Sequence, residues 1–166
     1  MDSIRVWRNS QMEVLRQGRP LTEADQASYY ENAVLPSMVQ ERPGMVLFSY
    51  LLDGSCIGYG GFTNIHWTSR RAELSFLLDT FRGRDTALYT REFSVFLGLM
   101  KLVAFRALGF NRLFTETYDI RPCHVAVLED SGFRLEGRML QHELIDGAYV
   151  DSLIHGYLKE YYDTEG

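Results

Sequence analysis

The sequence predicts a mixed α/β domain in which one β-sheet carries helices on its faces. Three observations predict it. Apolar residues recur at three- and four-residue spacing before residue 40 and again from 90 to 108, but run continuously or alternate between 45 and 78. Two Asp-Gly pairs, Asp53-Gly54 and Asp146-Gly147, sit between extended runs in the way of tight hairpin turns. The resulting order is helix, helix, three strands, helix, strand, helix and a final two-stranded hairpin.

Each element has its own signal. Ile4, Trp7, Met12 and Leu15 give a helical spacing over Ile4 to Arg16, which Gly18 and Pro20 end. Thr22 and Asp25 form a capping box that opens a second helix toward Val39, and Pro43-Gly44 breaks the chain after it. Met45 to Leu52 reads as a strand, turning at Asp53-Gly54 into a partner from Cys56 to Ile65. The glycines of that partner, Gly58, Gly60 and Gly61, mark a bulge or a close backbone approach. Ala72 to Leu78 is a third strand after the polar turn 68–71. Phe93, Phe96, Leu97, Met100, Val103 and Ala104 set the face of a long helix from about Thr90 to Leu108, with Gly109 as its C′ residue. Leu113 to Thr117 is a buried strand, and Pro122 and Gly132 bracket a short helix. Phe133 to Ile145 and Tyr149 to about Tyr161 are the arms of the last hairpin.

Composition bounds the function. At 166 residues, with no repeat, linker or low-complexity tract, the chain is expected to be a single domain over 1–166. No apolar run approaches the roughly 20 residues needed to span a bilayer. The N-terminal stretch has no apolar core of a signal peptide, so a cytoplasmic protein is expected. Cys56 and Cys123 are too few for a disulfide framework, and the four histidines lie on separate segments, so no metal is expected. A net charge of −5 argues against nucleic acid as a partner. An anionic ligand therefore needs a local concentration of cations, and 82–91 is the stretch that offers one.

Five fragments in fixed order resemble the GNAT N-acetyltransferases, in particular the branch of ribosomal-protein and aminosugar acetyltransferases. Ile57-Gly58-Tyr59-Gly60-Gly61-Phe62 is similar to that family's IGxxGF strand, and Arg71-Ala72-Glu73-Leu74-Ser75-Phe76-Leu77-Leu78 to its AEIGYWL strand. Leu108 to Leu113 resembles its LGLNRI junction, Val127 to Arg138 its VLEKLGFRLEGR segment, and Gly147 to Asp151 its GKYxD turn. The resemblance implies the GNAT fold: a central twisted, mostly antiparallel sheet splayed at its middle and flanked by about four helices. It also implies acyl-CoA as cofactor, acetyl-CoA above all, and a primary amine as acceptor. The sequence departs from the family in three places. The pyrophosphate loop, R/Q-x-x-G-x-G/A in the family, reads Arg82-Gly83-Arg84-Asp85-Thr86-Ala87, with Asp85 in place of a glycine. Trp7-Arg8-Asn9 stands nearly at the start, where relatives have a strand ahead of it. The N-x-x-S/A that opens the last helix reads Arg121-Pro122-Cys123-His124.

Candidate site residues follow from what acyl transfer needs: a neutral amine, a polarised thioester carbonyl and a proton for the leaving thiolate. The resemblance places cofactor contacts on the strand at Phe76, Leu77 and Leu78 and on the loop at Arg82, Gly83, Arg84, Asp85, Thr86, Ala87 and Arg91. Glycine and bare N–H groups suit phosphates there, and a carboxylate repels them unless it turns away. Glu73 is the candidate general base, its plain alternative being a solvent-facing carboxylate paired with Arg70 or Arg71. His124 is the candidate proton donor, against a partly exposed helix-end histidine without a role. Arg8, Asn9, Tyr30 and Arg121 are candidate acceptor contacts. A small amine such as a nucleotide-linked aminosugar is the expected substrate, with a protein N-terminal amine as the alternative. A non-catalytic ligand- or partner-binding domain is the rival of another class, and a homodimer through the last hairpin is left open.

Overall fold

The computed structural model describes residues 2–165. The chain opens with α1 (Asp2–Asn9), a 3-10 turn (Met12–Val14) and α2 (Glu23–Tyr29), which runs through a π-turn (Tyr30–Val34) into α3 (Leu35–Met38). Three strands follow, β1 (Val46–Leu52), β2 (Ser55–His66) and β3 (Arg71–Leu78). Next come α4 (Thr80–Arg84) and α5 (Thr86–Leu102), the latter ending in a π-turn (Val103–Ala107). The rest is β4 (Arg112–Tyr118), α6 (Pro122–Asp130), β5 (Arg134–Ile145), β6 (Ala148–Leu158) and α7 (Lys159–Glu165). The six strands form one sheet in the order β1-β2-β3-β4-β6-β5. Every neighbouring pair is antiparallel except β3 and β4. The mixed α/β expectation and the mostly antiparallel sheet therefore hold.

The local chemistry explains the boundaries. Thr22 Oγ1 accepts the Asp25 N–H at 3.1 Å while Asp25 Oδ2 accepts the Thr22 N–H at 2.8 Å, the reciprocal cap read from the sequence. Asp53 and Gly54 both adopt positive φ (49° and 79°), as do Asp146 and Gly147 (49° and 80°), which is the conformation of a two-residue hairpin turn. Three expected boundaries are corrected. The first helix stops at Asn9 and not at Arg16, because the Asn9 amide is drawn to the Leu21 backbone, donating to its O at 2.9 Å and accepting its N–H at 2.7 Å. The long helix starts at Thr86, four residues before the expected start, because Asp85 caps it. The last strand ends at Leu158, where Lys159 begins a helix supported by its ion pair to Asp163 and by Tyr161 and Tyr162 packing on Tyr157 and Phe105.

Alternation on β3 divides the molecule into two layers. Ala72, Leu74, Phe76 and Leu78 face α5 and join Phe62, Phe93, Phe96, Leu97, Phe110 and Leu128 in one core. Phe76 stacks on Phe93 with centroids 4.8 Å apart and tilts against Phe96 at 4.6 Å. The opposite face carries Glu73, Ser75 and Leu77, beneath α1 and the segment that follows it. Arg8 reaches down to the Tyr59 hydroxyl at 3.0 Å and Gln11 to the Leu78 carbonyl at 3.0 Å. β5, at the sheet edge, is interrupted by register shifts at Leu135/Gly137 and Met139/Glu143, with Gln141 at φ 51°.

The β2 glycines are a packing requirement. A Cβ at Gly60 would lie 2.2 Å from the Ser75 carbonyl oxygen and 2.8 Å from Phe96 Cζ. Gly60→Ala is expected to lower the free energy of unfolding by about 2–3 kcal/mol in a urea titration, because β2 and β3 must part to admit the methyl group.

Candidate active site

β3 and β4 pair over three residues, Arg71–Glu73 against Arg112–Phe114, and then separate. Beyond these pairs no ladder joins the two strands, and Leu74 to Phe76 and Thr115 to Tyr118 line a gap in the middle of the sheet. The gap opens at two mouths that share Arg121 and His124. One, about 260 Å³, is walled by Glu73, Ser75, Glu116 and Tyr118 under Arg16. The other, about 330 Å³, lies against the start of α5 and is walled by Gly83, Arg84, Thr86, Tyr89 and Cys123.

At the first mouth Glu73 is buried, only 7% exposed. Its Oε2 accepts the Asn64 amide at 2.6 Å and its Oε1 the Arg16 guanidinium. The alternative of a solvent-facing carboxylate paired with Arg70 or Arg71 is not what forms, since Glu73 is buried and its partner is Arg16. Glu116 stands beside it, with Oε2 3.8 Å from the same Arg16 nitrogen and Oε1 3.4 Å from His142 Nδ1. Burial, reinforced by the Glu143 and Glu116 carboxylates and opposed by Arg16, pushes the Tyr118 phenol up.

His124 lies inside the protein and not at a partly exposed helix end. It is 7% exposed and stacked on Phe93 at 4.4 Å. Its Nδ1 is 2.5 Å from the Tyr89 hydroxyl, which accepts from Arg121 Nη2 at 3.1 Å. Burial, followed by the charge of Arg121 and by His155, holds His124 well below 6.5, so the ring is neutral at pH 7 and stores no proton as an imidazolium. Burial pushes the Tyr89 phenol up to about 12. The chain Arg121–Tyr89–His124 spans the point where the two mouths meet.

At the second mouth the loop is a turn of helix. Asp79 caps α4, accepting the N–H groups of Phe81 and Arg82 at 3.0 and 3.2 Å, and the Gly83 N–H is spent on the Asp79 carbonyl at 2.7 Å. Asp85 turns its carboxylate onto the Leu88 N–H at 2.9 Å. The Thr86 and Ala87 N–H groups, in the first turn of α5, have no intrahelical partner. Arg82 and Arg91 both donate to the buried Glu92, at 2.6 and 3.0 Å, as does the Tyr50 hydroxyl at 3.0 Å. Burial raises the Glu92 carboxyl, but these three donors outweigh it and leave it below its ordinary value. Arg84 is the loop guanidinium that faces the mouth. Phe76, Leu77 and Leu78 are buried; Phe76 lines the Glu73 mouth, and the Leu78 carbonyl is taken by Gln11.

A model of the acetyltransferase (GNAT) domain matches residues 1–154. The chain belongs to the GNAT acetyltransferase family. Solved structures of a Vibrio cholerae spermidine N-acetyltransferase share the fold. The complex of that enzyme with CoA and spermine has a TM-score of 0.79 at 17% identity, covering 96% of this chain and 89% of the other. Its complex with manganese ions gives 0.75 at 17% identity, covering 99% and 92%. No protein of curated function matches the sequence. Among the described residues no helix is long and apolar enough to cross a membrane, and no group of His, Cys, Asp and Glu is placed to hold a metal ion.

The GNAT gap fits an extended acyl-CoA arm, since unpaired strand edges line it and free first-turn N–H groups stand at one end. Asp85 takes one first-turn donor for itself, and Glu92 takes two of the three expected guanidinium groups. Of the expected acceptor contacts, Arg8 and Arg121 line the Glu73 mouth. Asn9 spends its amide on the Leu21 backbone and Gln17. Tyr30 lines a separate cavity under α1 and α2. The sequence reading missed Tyr89, Arg16, Glu116 and Asn64. Alternation along Leu113–Tyr118 could have set Glu116 on the Glu73 face, and starting α5 at Asp85 puts Tyr89 in its first turn.

Asp85→Asn keeps a good N-cap and removes the charge. Calorimetric titration with CoA is expected to show about two- to fivefold tighter binding by the variant, with the gap narrowing in high salt. Burial gives His124 a linkage to stability that an exposed histidine lacks. The unfolded chain takes up a proton as pH falls below about 6.5 and the folded chain does not, so stability declines through that window. Melting curves between pH 7 and 5.5 should slope less for His124→Gln than for the wild type.

Proposed function

We propose that this protein transfers the acetyl group of acetyl-CoA to the primary amine of a small molecule, with one domain over 1–166 carrying both sites. The observation that carries this reading is Glu73, a buried carboxylate at the mouth of the gap between β3 and β4. A bound acetyl-CoA supplies the thioester carbon that the amine attacks. Thr86 and Ala87 N–H groups and Arg84 would hold the phosphate end, and the free edges of Leu74–Phe76 and Thr115–Tyr118 would meet the arm.

Glu73 accepts the ammonium proton and exposes the nitrogen lone pair. Closing the C–N bond and breaking the C–S bond frees a second proton from nitrogen, and the thiolate takes one up. One proton therefore leaves to solvent for each acetyl transferred. Neutral His124, with Nδ1 accepting from Tyr89, has its remaining proton on Nε2 and contributes a hydrogen-bond donor to the gap. Arg121 steadies that chain by donating to the Tyr89 oxygen. The proton donor is thus a positioned neutral pair, in place of the titrating histidine read from the sequence.

The acceptor class is set by carboxylates. Glu73 and Glu116 attract an ammonium group, while Arg8 and Arg121 at the rim leave room for an anionic tail such as that of a nucleotide-linked aminosugar. Turnover followed by thiol release against polyamines, nucleotide-linked aminosugars and N-terminal peptides distinguishes these. Turnover of peptides alone defeats the small-molecule reading. Glu73→Gln is expected to lower kcat by about 100-fold at neutral pH. Its rate should climb toward pH 10, as the amine loses its proton unaided near a pKa of about 10.4.

A further inference from the structure

Arg16 lies between the two carboxylates of the Glu73 mouth, and its geometry differs from that of the other arginine pairs. Arg19 grips Asp25 with two nitrogens, at 2.8 and 2.8 Å, and Arg112 grips Glu136 with two. Arg16 uses Nη2 alone for both Glu73 and Glu116, and its Nε and Nη1 bond to no described residue. The side chain is half exposed. It extends from the segment between the 3-10 turn and α2, outside any helix or strand. A two-pronged guanidinium is the strong form of this contact, and a single shared nitrogen on an open side chain is the weak one.

The carboxylates are arranged the other way. Each has one oxygen fixed by the wall, Glu73 by Asn64 and Glu116 near His142, and the other oxygen turned to Arg16. Two carboxylates converging on one point repel each other unless a cation stands between them. The wall is built to hold a cation, and the cation present is a half-exposed side chain that serves both carboxylates through one nitrogen.

We propose that Arg16 is an internal stand-in for the acceptor's ammonium group, and that it sets specificity by competing with the acceptor for Glu73 and Glu116. An acceptor displaces it by bringing its own charge, and a second ammonium group on the same chain serves the second carboxylate. The fitting acceptor is an aliphatic diamine or polyamine. Displacement also releases Glu73 from the guanidinium, so the base becomes available when the amine arrives. This proposal rests on the acetyl-transfer reading but is separable from it, because binding can be read without turnover.

Spermidine is the probe. Its binding to wild type, Arg16→Ala and Arg16→Lys is measured by calorimetry, and its KM in the acetyl-CoA reaction in parallel. Arg16→Ala is expected to bind spermidine about two- to fivefold more tightly and to lower KM by a similar factor, with KM for acetyl-CoA unmoved. Arg16→Lys, which restores a point charge, should stay near wild type. Equal or weaker binding by Arg16→Ala, including binding by neither protein, overturns the proposal. So does a KM that rises only for a nucleotide-linked aminosugar, which would make Arg16 an anchor for an anion. Tighter spermidine binding without turnover would keep the stand-in and overturn the acetyl-transfer reading.

Discussion

The short parallel ladder between β3 and β4 is the constraint on which the site depends. Three residue pairs hold the sheet together at its middle. Beyond them the strands separate, and a sheet interior becomes a slot lined with unpaired backbone. Buried backbone polar groups are normally satisfied within the fold, so a slot of this kind is tolerable only where a ligand or water completes it. The two halves stay together because Phe76, Phe93 and Phe96 pack across the β3–α5 interface and Leu128 of α6 closes the same core. A hydrophobic layer behind the slot thus carries the cohesion that the missing ladder does not.

Charge then assigns the ends of the slot. One end offers N–H groups of a helix start, and the other offers Glu73 and Glu116. Between them burial keeps His124 unprotonated and Tyr89 protonated, and Arg121 is the charged member of the chain. Arg82 and Arg91, near that N–H end, instead neutralise Glu92, a buried residue of α5 itself.

The fold was largely legible in the sequence. Period and turn chemistry located all six strands and the principal helices, since Asp-Gly turns and an amphipathic helix are local signals. The errors fell where a distant contact overrides a local pattern. Asn9 bonding to Leu21 cuts the first helix short, and the Tyr161 and Tyr162 rings meeting Phe105 and Tyr157 turn the last residues helical. Of the candidate site, the sequence singled out Glu73, and the structure places it buried at the mouth of the slot. Asp85 stood out as a departure in the loop before the long helix, but its cap on Leu88 depends on where α5 begins. Arg16 and Glu116 are separated by a hundred residues of chain and meet only because the slot brings them together, so neither had a sequence signal of its own.

The bulged outer strand β5 has a consequence for crowded solution. An open sheet edge with an even row of N–H and C=O groups is a template for adding another copy, strand upon strand, into fibrils. Leu135, Leu140 and Leu144 are exposed along this edge, which would favour such growth. The two register shifts and the left-handed turn at Gln141 break the row into short, misaligned pieces, so a second copy finds no continuous backbone to extend. Irregularity at this rim denies the β5 side of the sheet a continuous edge.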